Sequence, residues 1–276
     1  MSAYSLYPSE SVIIDRLRDA GCVFAEDEAQ LLIAASPSPA ELAAMVDQRV
    51  AGLPLEHVLG WAEFCGHRIT VDPGVFVPRR RTELLVRQAA ALTPRGATVV
   101  DLCCGSGALG VVLAAGRDDV ELHAVDIDPA AVRSARRNAG PVGGRVYQGD
   151  LYEPLPPTLR GRIDVLLANA PYVPTEAIRL LPPEARVHEH RVALDGGADG
   201  LDVLRRVVVE APHWLAPGGS LLVETSERQG PALAAFVAVA GLDCRTVAAD
   251  EAHVVIATRR TPGTAFVPAQ RRRTRS

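Results

Sequence analysis

The 276-residue sequence contains no lysine, so its 29 basic residues are all arginine. That absence excludes chemistry that depends on an amine side chain, such as pyridoxal-phosphate Schiff bases and the lysine of phosphate-binding loops. Aromatic residues make up only 4% of the chain. Its five cysteines (Cys22, Cys65, Cys103, Cys104 and Cys244) form no C-x-x-C pair, which argues against a disulfide framework and a zinc knuckle. The N-terminus lacks the basic start and apolar core of a signal peptide, and the run Ala232 to Leu242, at 11 residues, is too short to span a bilayer. These features lead us to expect a soluble protein of a reducing compartment, the cytoplasm, with no metal site and no membrane partner.

What is present supports a folded core, because 48% of the residues are hydrophobic and 22% charged. The formal net charge is −4, so no global field draws the chain to nucleic acid. The local exception is the end, where Arg271, Arg272, Arg273 and Arg275 follow Pro268 without an acidic residue. This segment, 261–276, reads as a basic tail, either solvated and disordered or reaching RNA or the ribosome.

Three segments precede it. Residues 9 to about 50 carry helical apolar periodicity at Ile13, Leu17, Leu31, Leu32, Leu42 and Met45. Ser38 is placed as an N-cap, Pro39 at the first helical position, and Glu41 where it completes a capping box. Phe64 to Val71, a turn at Asp72-Pro-Gly74, and Val75 to Val77 suggest a β-hairpin. Residues 1–75 are therefore expected to form a small helical domain with a hairpin joiner. From about residue 96, strands alternate with helices: 98–102, 108–115, 122–126, 129–138, 145–148, 163–168, 220–224, and two late strands near Cys244 and Val254. Such alternation implies an α/β, Rossmann-like domain over 76–260, with a parallel sheet covered by helices.

The turn after the first of these strands reads Asp101-Leu-Cys-Cys-Gly105-Ser-Gly107-Ala-Leu-Gly110, with Asp126 about 20 residues on. This spacing suits an adenosine-containing cofactor, with the acid on the ribose hydroxyls, and by itself fits either a dinucleotide or S-adenosylmethionine. Asp101 favours the latter, because a carboxylate there repels a pyrophosphate and attracts an ammonium or sulfonium. The strand Ile163 to Ala168 then runs into Asn169-Ala170-Pro171-Tyr172. Pro171 pushes Ala170 into an extended conformation, so that the Asn169 amide oxygen and a neighbouring carbonyl converge on one pocket beside the Tyr172 ring. Two such acceptors suit a nitrogen with a delocalised lone pair, because their hydrogen bonds strengthen as positive charge develops on it.

Here the chain resembles the amino-group methyltransferases, whose signature is Asn/Asp-Pro-Pro-Tyr/Phe. Within them it is similar to the HemK-type protein-(glutamine-N5) methyltransferases, from about Pro54 to Arg259. The resemblance rests on Gly52 to Gly60, Phe64-Cys-Gly66, Val77-Pro-Arg79 with Thr82-Glu83, and Ala193-Leu-Asp-Gly-Gly197 with Asp199-Gly200-Leu201. It implies a class I S-adenosylmethionine-dependent methyltransferase fold and a helical N-terminal domain that recognises a protein substrate, a peptide chain release factor or another translation-related protein. By position it places Asp101, Gly105, Gly107, Asp126, Ile127, Asp150 and Asn169 on the cofactor, and Asn169, Ala170, Pro171 and Tyr172 on the glutamine amide. Two departures from the pattern stand out. Ala170 replaces its first proline, which keeps the carbonyl and reduces the rigidity before Pro171. Arg80-Arg81 replace a proline–acid pair, reversing the charge near the expected substrate entrance. Adenine- or guanine-amino methylation of nucleic acid, and a non-catalytic cofactor-binding module, are the alternatives.

Other residues carry less. His188 and His190, flanking Glu189, read as solvated loop histidines, and Cys103-Cys104 as small packing residues beneath the turn. Glu224, at the end of its strand, is compatible with either the pocket or the core.

Overall fold

The computed structural model describes residues 9–249 and 251–261. The arginine-rich end lies outside them. Three helices open the chain, α1 (Glu10–Asp19), α2 (Ala25–Ala35) and α3 (Pro39–Val50). Their apolar stripes bury Ile13, Leu17, Leu32, Leu42 and Val46 against one another. Ser38 caps α3, its Oγ accepting the Glu41 N–H at 3.3 Å, with Pro39 in the first helical position as expected. Arg49, buried at the end of α3, donates to both oxygens of Glu28 at 2.6 and 3.2 Å. It also pairs with Glu184 at 2.7 Å, far along the chain.

A short helix α4 (Leu55–Leu59) leads into the hairpin β1 (Trp61–Phe64) and β2 (His67–Thr70). The hairpin differs from the sequence expectation. Its turn is Cys65-Gly66, both at positive φ (50° and 76°), the geometry that matches the twist of the flanking strands. Val75 to Val77 is not a strand. Instead Val75 and Val77 bury against Ala130 and Ala131 and tie the joiner to the next domain.

That domain contains α5 (Glu83–Leu92), β3 (Thr98–Leu102), α6 (Ala108–Ala114), β4 (Glu121–Asp126), α7 (Pro129–Ala139) and β5 (Arg145–Gln148). It continues with β6 (Ile163–Ala168), α8 (Pro183–His188), α9 (Asp202–Trp214), β7 (Leu215–Thr225), α10 (Gly230–Val239), β8 (Asp243–Ala249) and β9 (Ala252–Thr258). The seven strands lie in the order β5-β4-β3-β6-β7-β9-β8. The fully parallel sheet expected from the alternation needs one correction. β9 runs antiparallel to both β7 and β8, because only two residues separate β8 from β9 and a parallel crossover needs a dozen or more.

Both faces of the central strands are buried, which accounts for β3 and β6 being written as near-continuous apolar runs, while the edge strands β5 and β8 are more exposed. Along β3 and β6 the side chains alternate: Val100, Leu102, Leu166 and Ala168 join the core with α9, while Val99, Val165 and Leu167 join the core with α5 and α6. From β3 the chain winds outward through β4 and β5, then returns to place β6 on the other side of β3. The carboxyl ends of β3 and β6 therefore flank a topological switch point, where open α/β sheets bind ligands.

Candidate active site

A cavity of about 780 Å³ opens at that switch point. On the β3 side its wall is the turn Cys103 to Ser106, together with Asp126, Ile127 and Asp150 from the ends of the neighbouring strands. The glycines of the turn do different jobs. Gly105, at φ 55°, has open space where a Cβ would stand, and its N–H donates to Asp126 Oδ2 at 2.8 Å. Gly107, at φ 78°, does not line the cavity; it faces α7, where a Cβ would come 3.3 Å from the Ala135 Cβ. Gly110 lets α6 lie on the sheet, since a Cβ there would come 2.7 Å from Leu122.

Asp101 also stands elsewhere than expected. It is buried beneath the turn, not on the cavity wall, and its Oδ2 accepts the Gly110 N–H at 3.0 Å. Its other oxygen has no partner among the described residues, and burial pushes its carboxyl up to about 7. Asp101 holds the start of α6. Asp126 does face the cavity. Backbone N–H groups of Gly105 and Asp128 each take one of its oxygens, while burial raises its carboxyl to about 6. Ile127 exposes its side chain on the cavity wall, and Asp150 pairs with Arg206 at 2.7 Å.

On the β6 side the wall is Asn169, Ala170, Pro171 and Tyr172. Asn169 Nδ2 donates to Thr82 Oγ1 at 3.4 Å, which turns its amide oxygen the other way. Ala170 is buried, and its carbonyl takes no hydrogen bond among the described residues. A buried carbonyl without a protein partner is uncommon, and suits a site that receives a donor from a ligand. The Tyr172 hydroxyl donates to Glu224 Oε1 at 3.0 Å and accepts from Arg81 Nη2 at 3.1 Å; burial raises it to about 12. Glu224 is thus a support for the tyrosine and not part of the cavity wall.

Several supporting residues are absent from the sequence-derived set. Gln229 Nε2 donates to the Tyr172 carbonyl at 2.9 Å and to the Asp199 carbonyl at 2.8 Å. A signal for it existed: Ser226-x-x-Gln229 is a capping-box pattern, and the two residues do exchange hydrogen bonds at 3.3 and 3.4 Å. Gly196 and Gly200 explain the run after Ala193, because a Cβ on either would collide with the carbonyl of Pro171 or Tyr172 (2.7 and 2.2 Å). His190, read from sequence as solvated, is half-exposed and bonds Asp128 at 2.5 Å; Glu189 between the two histidines is buried on Arg79 and the Val77 N–H. Burial pushes both Cys103 and Cys104 thiols up, as suits packing groups; Cys103 nevertheless lines the cavity.

A family model described as "Methyltransferase small domain" matches residues 66–188. The release factor glutamine methyltransferase of Geobacter sulfurreducens is 40% identical over 215 residues, covering 76% of this chain and 75% of that protein. That of Mycolicibacterium smegmatis is 41% identical, covering 72% of each. The chain belongs to the release factor glutamine methyltransferase family. Another relative, the 4-amino-L-phenylalanine/4-methylamino-L-phenylalanine methyltransferase of Streptomyces pristinaespiralis, is 39% identical over 71% of this chain and 68% of its own. Among solved structures, a Pyrococcus furiosus methyltransferase shares the fold with a TM-score of 0.54 at 15% identity, covering 79% of this chain and 98% of that one. A T. thermophilus 16S rRNA methyltransferase solved with AdoMet and guanosine has a TM-score of 0.53 at 23% identity, covering 72% of this chain and 50% of that one.

As a member of this methyltransferase family the protein is an enzyme whose cofactor is S-adenosylmethionine. The residues present fit that group. Gly105 leaves room for its backbone approach, Asp126 keeps lone pairs free for ribose hydroxyls, and exposed Ile127 offers an apolar face for a planar base. No helix among the described residues is long and apolar enough to cross a membrane.

Proposed function

We propose that this chain methylates the side-chain amide of a glutamine in a peptide chain release factor. The observation that carries the reading is the unpartnered Ala170 carbonyl beside the Asn169 amide oxygen, at the edge of the cofactor cavity. A primary amide presents two N–H groups, and these two oxygens can accept both. Held so, the nitrogen is drawn towards a pyramidal geometry, and the hydrogen bonds tighten as it becomes positive. The Tyr172 ring sets the plane of the amide in line with the donor methyl. The cofactor, when bound, supplies an electrophilic methyl on a sulfonium. The nitrogen would gain that methyl as the methyl's bond to sulfur breaks, leaving a neutral thioether, and would release one proton to water, without a covalent enzyme intermediate.

In this reading Asp126 and Ile127 hold the ribose and adenine, Gly105 admits the cofactor backbone, and Asp150 with Arg206 closes the adenine end. The helices of 1–75 serve to recognise the protein substrate, and the work takes place in the cytoplasm, where release factors act. The family resemblance and the names of the Geobacter and Mycolicibacterium relatives support the release factor as the target. The name of the Streptomyces relative makes an aromatic amine the acceptor to test against it.

The test is to incubate the protein with labelled S-adenosylmethionine and either unmodified release factor or 4-amino-L-phenylalanine, then locate the label by mass spectrometry. Label on a release-factor glutamine is expected. Label on the free amino acid alone, or on nucleic acid in a lysate, would replace the reading.

A further inference from the structure

Of the residues at which the sequence departs from the family pattern, Arg81 reaches the Tyr172 hydroxyl, two residues along the chain from Ala170. Arg81 does not reach outward to solvent alone. Its Nε pairs with Glu224 Oε1 at 3.3 Å, and its Nη2 donates to the Tyr172 hydroxyl at 3.1 Å. The same hydroxyl donates to Glu224 Oε1 at 3.0 Å, so the three groups close a triangle. Glu224 is 1% exposed, its second oxygen has no partner, and Arg81 is the cation bonded to it among the described residues. A buried carboxylate stripped of its cation is strongly destabilised, so the triangle stands or falls as a unit. Tyr172 is thereby held at both ends, by Gln229 on its carbonyl and by Arg81 with Glu224 on its hydroxyl.

We propose that Arg81 and Glu224 are a positioning pair that fixes the Tyr172 ring against the acceptor nitrogen, and that they supply the rigidity a proline at position 170 would otherwise give. The inference rests on the acceptor reading above. It follows from the geometry of the linkage. Pro171 biases Ala170 towards extended backbone, but no ring fixes the φ of Ala170 as a proline there would, and a tyrosine hinged only from that backbone keeps more freedom to swing. A guanidinium that spans the hydroxyl with Nη2 and Glu224 with Nε removes that freedom from the far end, at the position where the family pattern carries an acid that could not neutralise Glu224. The charge reversal at Arg81 is then answered inside the protein and says nothing about an acidic substrate.

The experiment measures kcat, the KM for S-adenosylmethionine and cofactor affinity by calorimetry, for the full chain carrying Arg81→Met, Arg81→Lys, Ala170→Pro and Arg81→Met with Ala170→Pro. Arg81→Met is expected to lower kcat about 10- to 50-fold, with donor KM and affinity within about twofold, since misorientation costs rate and not cofactor binding. Arg81→Lys keeps the charge and loses the fork, and should fall between Arg81→Met and the wild type. In the Ala170→Pro background the same Arg81→Met change should cost no more than about threefold. Equal losses in both backgrounds would overturn the proposal, as would a loss that appears in donor affinity.

A second measurement keeps the pair testable apart from the acceptor reading. With 3-fluorotyrosine incorporated, the Tyr172 signal is found by its disappearance in Tyr172→Phe. That fluorine line should be single and sharp in the wild type, broadened or split in Arg81→Met, and narrowed again in the double variant. An unchanged line in Arg81→Met would overturn the pair whatever acceptor the enzyme uses, while a wild type that methylates no amide would overturn only the acceptor reading.

Discussion

The ends of β3 and β6 lie side by side in one sheet, yet they are built in opposite ways. The β3 end is local. Asp101 bonds Gly110 and Asp126 bonds Gly105, so the turn is secured by groups 9 and 21 residues apart, with a backbone N–H in each bond. The β6 end is assembled from distant side chains: Asn169 meets Thr82, 87 residues away, and Tyr172 meets Arg81, Glu224 and Gln229 at separations of 91, 52 and 57. A cofactor shared by many reactions needs a cradle that any strand–turn–helix can make. An acceptor site must hold one ring and one amide in a single orientation, and rigidity of that kind comes from long-range ties.

If the two ends are independent, lesions at the β6 end should abolish transfer and leave the donor bound. The largest effect is expected for Asn169→Ala, which in the proposed function removes one of two acceptors for the developing charge. It should lower kcat by about 100-fold or more with donor affinity within about threefold, measured by initial rates and calorimetry. A parallel loss of donor affinity would show that the two ends share Asn169. Next is Gly200→Ala, whose Cβ would stand 2.2 Å from the Tyr172 carbonyl oxygen at φ 81°. Displacing Tyr172 should cost roughly 30-fold in kcat, again without weakening the cofactor.

The reciprocal lesion is Asp126→Asn. Its expected signature is a donor dissociation constant raised about 10-fold, the scale of a hydrogen bond to a charged group, with kcat at saturating donor within about threefold. A fall in saturated kcat would couple the two ends. Smallest in activity is Asp101→Asn, whose effect belongs to stability. Burial raises this carboxyl to about 7 from an ordinary 3.8, so the folded chain holds the proton more tightly than the unfolded one. Its stabilising contribution is present below about pH 4 and is lost as the pH rises towards 7, by on the order of 2–4 kcal/mol. Denaturant unfolding should therefore show Asp101→Asn gaining on the wild type across that window; a pH-independent difference would mean that Asp101 ionises as freely as in the unfolded chain.

The same contrast explains what could be read in the sequence. Gly105 and Asp126 stand in a short, spaced pattern, and the strands 98–102, 145–148 and 163–168 are legible because apolar β runs alternate with helical periodicity. Asp101 was legible as important but not as buried: the pattern gives spacing along the chain, and the depth of its side chain depends on α6 seating on Gly110. The Phe64 to Val77 segment misled because Cys65-Gly66 is a weaker turn signal than Asp72-Pro-Gly74, and only pairing between strands decides between them. Asn169 and Tyr172 announced themselves, while Thr82, Gln229 and Gly200 acquire their roles only when the sheet brings them within reach. The triangle of Arg81, Tyr172 and Glu224 has no linear signature at all.

Arg49 bears on how this protein can be recombined. Its guanidinium is shared between Glu28 of the helical domain and Glu184 of α8, a residue that also lines the cofactor cavity. A chimera spliced at the obvious junction after α4 would import foreign helices and leave Glu184 at the cavity rim without its cation. The unit that transplants intact is discontinuous: the N-terminal helices have to travel together with α8, so that helical domain and cavity rim are inherited as one part.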